Sequence, residues 1–272
     1  MKAISAIGIG LAIGCLLMSA MMEGTQIPAF INIPALMLVF GGTMGVTMAG
    51  TSMGQMKLVP KLYKLAFGPP EYNLRERVAL LVKFAEMARR EGLLALDDEL
   101  QSVEDEFTRK GMQLVVDGTD PELVAQILEI ELEAMAGRHA KGVEPFEKAG
   151  GFGPTLGITG TVMGLIHVLE HLAQPSTLGP AISGAFIATL YGVGSANIVF
   201  LPVANKLKFL SSLEQELGYL TIEGILAIQA GDNPRVVESK LMSYVSPEER
   251  AVEGEAEAPA SAVSEPAAAA AA

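Results

Sequence analysis

Four long apolar runs, at roughly 3–22, 32–56, 149–169 and 180–205, contain no Asp, Glu, Lys or Arg. At about 1.5 Å per residue, some twenty helical residues cover a hydrocarbon core of roughly 30 Å. The runs therefore predict four transmembrane helices, and all 19 Lys and Arg lie outside them. The loop 57–148 holds 13 of these cations, the segment from Lys206 onward holds 5, and Lys2 is the last. The short connections after the first and third runs hold none. Positive charge stays with the cytoplasmic loops of membrane proteins. The pattern thus predicts both termini and the long loop in the cytoplasm, with two short hairpin tips outside.

Half of the 272 residues are hydrophobic, and the net charge is −12. The loop balances 13 basic against 18 acidic residues, and the tail 5 against 11. An acidic cytoplasmic face argues against nucleic acid, because phosphate binding needs concentrated basic charge. The single Cys15 permits no intrachain disulfide. Met1–Ala20 loosely resembles a signal peptide, and Ala12-Ile13-Gly14-Cys15 a lipoprotein cleavage site. The apolar run continues to Met22 and a second follows after one turn, so it reads as a retained helix paired in a hairpin.

Within 57–148 the sequence predicts a helical domain. Pro60 and Gly68-Pro69-Pro70 read as breaks, and Asn73 as a helix cap. Leu74, Val78, Leu81, Val82, Ala85 and Ala88 form one helical face, ended by Gly92. A further helix is expected over about 97–110, with Leu100, Val103 and Phe107 on one face and Gly111 at its end. Asp117-Gly118 reads as a turn. Asp120-Pro121 opens a helix that continues towards the third apolar run. Residues 206–246 predict two more cytoplasmic helices separated by Gly231-Asp232-Asn233-Pro234. The Ala/Pro/Glu-rich tail 247–272 cannot bury enough apolar surface to fold. No strand alternation of any length is present. The fold class is all-α, a polytopic membrane protein with a helical cytoplasmic domain.

The chemistry-bearing residues concentrate in the third and fourth runs. Gly153, Gly157, Gly160 and Gly164 form one smooth stripe; Gly184, Ala188, Gly192 and Ala196 form another. Gly10/Gly14 and Gly41/Gly45 repeat the pattern in the first two runs. Small residues let helices approach closely in lipid. Any single pair reads as packing within the bundle, while the density in the third and fourth runs suggests a lining against other helices, whether of this chain or of others. Thr155, Thr159, Thr161, Ser183, Thr189 and Ser195 can either bond the carbonyl one turn back or present oxygens along an ion path. Pro154 and Pro202 free backbone carbonyls and permit bending. With no acid inside the runs, a carboxylate that carries an ion must come from another chain. His167, Glu170 and His171 match the H-x-x-E-H zinc-peptidase pattern. Their place at the end of a span, with no further His or Cys near, reads instead as a hydrated edge with no metal. Arg89-Arg90-Glu91 followed by Asp97-Asp98-Glu99 reads as a dipole-matched, solvated surface.

Taken together, the Gly153–Leu165 run, Ala88–Leu96, Val115–Gly118, Ala188–Gly192, Leu226–Gln229 and Asn233–Val237 resemble the flagellar stator A subunits, the MotA/PomA family within the MotA/TolQ/ExbB group. The resemblance covers about residues 1–245. It implies a bacterial inner-membrane stator subunit that forms a pentameric ring around a MotB/PomB-like B subunit, whose Asp binds the ion. Ion flow, H+ or Na+, would turn the ring against the rotor's FliG-like switch protein. There would be no covalent chemistry and no cofactor. By resemblance, Arg89, Arg90 and Asp97 contact the rotor. Thr161, Thr189, Pro154 and Pro202 belong to the ion pathway. The sodium-driven pattern has two adjacent Thr before Leu-Tyr-Gly, where this chain has Ala188-Thr189, and Asp97 stands where Glu is more usual. An energiser of the TolQ/ExbB kind, with three spans, is the rival reading; a membrane metallopeptidase is a third.

Overall fold

A computed structural model describes residues 4–247, and every regular element among them is helical. The expected tail lies outside the described residues apart from its first member, Pro247. The described residues divide into two compact units, one gathering residues 4–72 and 130–215, the other 73–129 and 216–247.

The first unit carries the apolar runs. Helix α1 is Ile4–Met22, ends without a charged residue, and buries none of its side chains. Gly24, with φ 83°, opens the turn that follows. Helix α2 is Ile33–Ala49, capped by Asn32, whose side chain accepts from the Ala35 N–H at 3.0 Å. It contains a π turn at Met37–Gly41. The second run was expected to continue to Met56, but the helix stops before Gly50. Ser52 and Gln55 form a reciprocal capping box that starts helix α3, Met53–Phe67. Lys148 donates to the carbonyl of Gly50. Gln55 reaches the Lys141 carbonyl and Glu144, each at 2.8 Å. Pro145 cannot donate to that Lys141 carbonyl, so Gln55 supplies the missing donor. Pro60, expected to break the chain, lies inside α3.

Helix α7 is Pro121–Glu170, 50 residues without interruption, and helix α8 is Pro175–Gln229. Both contribute residues to both units, so the expected boundaries at 148/149 and 205/206 fall inside helices. A π turn at Ala196–Phe200 prepares α8 for Pro202. There the Leu201 N–H donates five residues back to Ala196, and Pro202 has no N–H for the ordinary bond. The helices α1, α7 and α8 are long and apolar enough to cross a membrane. The 17-residue α2 is shorter, reaching roughly 25 Å. In this unit Ala66, Val143, Phe146, Val203, Ala204 and Leu207 form one buried cluster, with Tyr63 edge-on to Phe146 at 5.0 Å.

The second unit begins with helix α4, Leu74–Glu91, which Asn73 caps through the Glu76 N–H. The expected face is buried or half-buried along its length, joined by Phe84, which is fully buried. Gly92, at φ 89°, ends it in a conformation that glycine tolerates. One helix was expected over 97–110; the structure has two. Helix α5 is Leu96–Leu100, and helix α6 is Glu106–Val116, started by Asp105, which accepts from the Thr108 N–H at 2.8 Å. Gly111 is no terminator. It lies within α6, where a Cβ would come 2.5 Å from Ile225. Helix α9, Pro234–Leu241, is capped by Asn233. Arg77 ties this unit together, bonding Asp105 at 2.6 Å, Thr221 at 3.2 Å and the Thr108 hydroxyl.

Candidate functional site

The small-residue stripes of α7 and α8 face each other within this chain. A Cβ on Gly157 would sit 2.9 Å from the Ala188 carbonyl oxygen; on Gly160, 2.6 Å from the Ala188 Cβ; on Gly164, 2.6 Å from the Ala185 Cβ. Gly153 lies against Gly192 and Ala196. Backbone contact at this range needs glycine on α7 and small residues on α8, and these glycines pack α7 on α8 within this chain. Gly184 has another role, leaving room for the Asn32 side chain. That junction is closed by Tyr191, whose hydroxyl donates to the Phe30 carbonyl and lies 3.4 Å from the Asn32 N–H. Gly10, Gly14, Gly41 and Gly45 face open space within this chain.

The tight seam places Thr161 and Thr189 opposite one another, and their hydroxyls hydrogen-bond. The Thr161 hydroxyl oxygen also lies 3.2 Å from the Gly157 carbonyl and 3.1 Å from that of Ala185. Thr189 lies 3.4 Å from the same Gly157 oxygen. Four oxygens therefore meet at one level of the seam, without formal charge. Such a group offers neutral oxygen ligands to a hard cation or to water, and a nearby carboxylate would strengthen its hold on a cation. The other hydroxyls behave locally: Thr155 donates to Phe152, Thr159 to Thr155 and Ser195 to Gly192. Thr155 and Thr159 are exposed on the face of α7 that also presents Ile158, Val162 and Ile166.

Pro154 and Pro202 occupy neighbouring turns of the same seam. Gly153, beside Pro154, meets Ala196; Gly150, whose carbonyl Pro154 deprives of a donor, abuts Leu201 beside Pro202. Pro202 further lines a cavity of about 220 Å³ with Ser5, Ala12, Asn197 and Ile198. The weakened backbone of both helices thus coincides with the π turn.

The charged candidates lie in the second unit. Arg89 and Arg90 occupy the last turn of α4 and Asp97 the first of α5, and all three are exposed. Arg90 pairs with Glu86 at 3.5 Å. Asp97 accepts from Gln113 at 3.1 Å. Among the described residues Arg89 has no ion-pair partner. Lys83 bridges to Glu99 and holds α4 to α5. The structure thus separates the sequence candidates into a neutral oxygen cluster in one unit and an exposed charged patch in the other. The Tyr191 clamp and the Gln55–Lys148 lock were not anticipated. The Ser52-x-x-Gln55 spacing was the available signal for the second.

Sequence and structure now converge on a defined class: an ion-channel-like helical membrane subunit without an intramembrane acid of its own. A sequence profile of the MotA/TolQ/ExbB proton channel family matches residues 99–218. The chain is 38% identical over 250 residues to motility protein A of Borreliella burgdorferi, covering 92% of this chain and 96% of that protein. It is 34% identical over 234 residues to the chemotaxis protein PomA of Vibrio alginolyticus, covering 86% and 92%. The structure matches that of the flagellar MotAB stator complex from Bacillus subtilis with a TM-score of 0.86 and 36% identity, covering 91% of this chain and 98% of that one. The C. jejuni MotAB structure gives a TM-score of 0.87 at 32% identity, covering 91% and 97%. The chain belongs to the MotA/TolQ/ExbB proton channel family, on its motility protein A branch.

Proposed function

We infer that this chain is a stator subunit of the flagellar motor, working with a B-type partner to convert ion flow across the membrane into torque on the rotor. The observation that carries this reading is the Thr161–Thr189 oxygen cluster, built on a glycine seam and left without a carboxylate. A neutral oxygen site becomes an ion site when a partner supplies the charge. Similarity to MotAB complexes over nine-tenths of the chain supports a MotB/PomB-like partner for that role.

In this reading α1, α2, α7 and α8 are the four spans, the short α2 included because its run carries no charge. The membrane is the bacterial inner membrane, and both termini and residues 57–148 face the cytoplasm. The bare α1 and the exposed apolar face of α7 fit a homo-oligomeric, pentameric ring. The passing ion is H+ or Na+, carried as cargo, and the chain performs no covalent chemistry. Thr161 and Thr189 line the pathway, while Pro154 and Pro202 give α7 and α8 their freedom to bend. Arg89, Arg90 and Asp97 meet the FliG-like switch protein; an exposed charge steers and orients a partner more than it stabilises the fold.

Deleting the gene tests the assignment. Cells that assemble normal flagella, counted by electron microscopy, yet do not swim until the chain is restored are expected. Loss of outer-membrane uptake with normal swimming would transfer the chain to the TolQ/ExbB energisers.

A further inference from the structure

We propose that His167, Glu170 and His171 form a binding site for a divalent transition-metal ion of the zinc, nickel or copper class, at the end of α7. Among the described residues these three bring one ligand atom each to within 4.8 Å of one another. Residues three and four apart share a helical face, and the two imidazole rings lie 4.3 Å apart between centroids. Ligands on a tetrahedral ion at roughly 2.0–2.1 Å are about 3.4 Å apart. His167 and Glu170 are exposed and can close the remaining distance on a half-buried His171 by changing rotamer.

A hydrogen bond within the cluster sets the chemistry. The His171 Nδ1 lies 2.9 Å from the His167 carbonyl oxygen. A carbonyl can only accept, so Nδ1 carries the proton and Nε2 keeps its lone pair for a metal. Histidine ligands are commonly oriented in this way by a backbone acceptor. The turn beneath is also bonded, with the His171 N–H donating to Val168 at 3.2 Å and the Gln174 N–H to His171 at 2.9 Å. Two imidazoles and one carboxylate favour zinc, nickel or copper over magnesium or calcium, which prefer all-oxygen shells. A fourth position stays open to water. Here Glu170 is a ligand, unlike the base that the peptidase pattern would make of it, so binding without hydrolysis is the expected behaviour. The bound ion would clasp the last turn of α7 to the connection leading into α8.

The test is zinc binding by the full chain, purified with its B-type partner and without a polyhistidine tag, in excess magnesium. One zinc per chain is expected. His167→Ala with His171→Ala should weaken binding at least tenfold, and Glu170→Gln severalfold, while His139→Ala leaves it unchanged. Should the double variant fail to assemble, His171→Gln alone gives the same comparison with the ring size retained in part. Zinc binding by wild type no stronger than by the double variant or His171→Gln overturns the site.

Discussion

The hydroxyls of Thr161 and Thr189 hydrogen-bond to each other across the α7–α8 seam, with the Gly157 carbonyl in reach of both. Removing either hydroxyl without changing shape is therefore a direct probe of the oxygen cluster. Thr161→Val and Thr189→Val should each reduce swimming severalfold and change its dependence on the ion supplied. The double variant should be little worse than either single one, since the two groups act as a unit. Thr161→Ser should retain function. Equal loss of assembled complex in all variants, measured by size-exclusion chromatography, would make the pair simple packing.

Arg89 is exposed and unpaired among the described residues, so reversing its charge should cost the fold little, within about 0.5 kcal/mol. Arg89→Glu is expected to impair motility strongly with normal membrane levels. An opposite reversal on the rotor switch protein should restore part of it. Arg90 shares its charge with Glu86, so Arg90→Ala should have the smaller effect.

Close backbone approach predicts a sharp contrast among the glycines. Gly157→Val drives carbon into the Ala188 carbonyl and should lower stability by about 1–3 kcal/mol or abolish assembly. Gly10→Ala meets nothing within the chain and should leave the melting temperature of the purified chain unchanged.

Asp105 gives the second unit an acid-sensitive lock. Burial opposes its ionisation, but hydrogen bonds from Thr108 and Arg77, with the guanidinium's charge, outweigh this and hold its carboxyl below the usual range. A lowered folded pKa contributes stability above the unfolded value, near 3.9, and that contribution disappears as pH falls through the folded value. Thermal stability of the wild type should thus fall below about pH 4, and Asp105→Asn should lose part of that slope. Arg77→Ala leaves the half-buried Asp105 without its cation and takes a donor from the Thr108 and Thr221 hydroxyls, and should destabilise by about 1–3 kcal/mol at neutral pH.

Much of this architecture was legible because apolar length and helical spacing are local properties. The helical character of the charge-free runs, the buried face from Leu74 to Ala88, the Asn73 and Asp120 starts and the turn before the last helix all reappear in the structure. The misreadings arose where one residue type serves two purposes. Gly111 and Pro60 resemble stops, yet one makes room for Ile225 and Leu128 and the other sits in a continuing helix. The end of α2 was hidden because Gly50–Gln55 is uncharged and blends into the apolar run. For the candidate site, hydroxyls and small residues were recognisable by type, but their pairing depends on the register of α7 against α8. That register brings Thr161 to Thr189 across 28 positions of sequence, and spacing along one helix does not encode it.

The most direct measurement is the rotation of a surface-tethered flagellum in the deletion strain while the wild-type chain is induced and the membrane ion gradient is controlled. Torque should be absent at first, rise as the chain is made, and vanish when the gradient is collapsed. Rotation without the chain, or rotation that survives loss of the gradient, would contradict an ion-driven stator role.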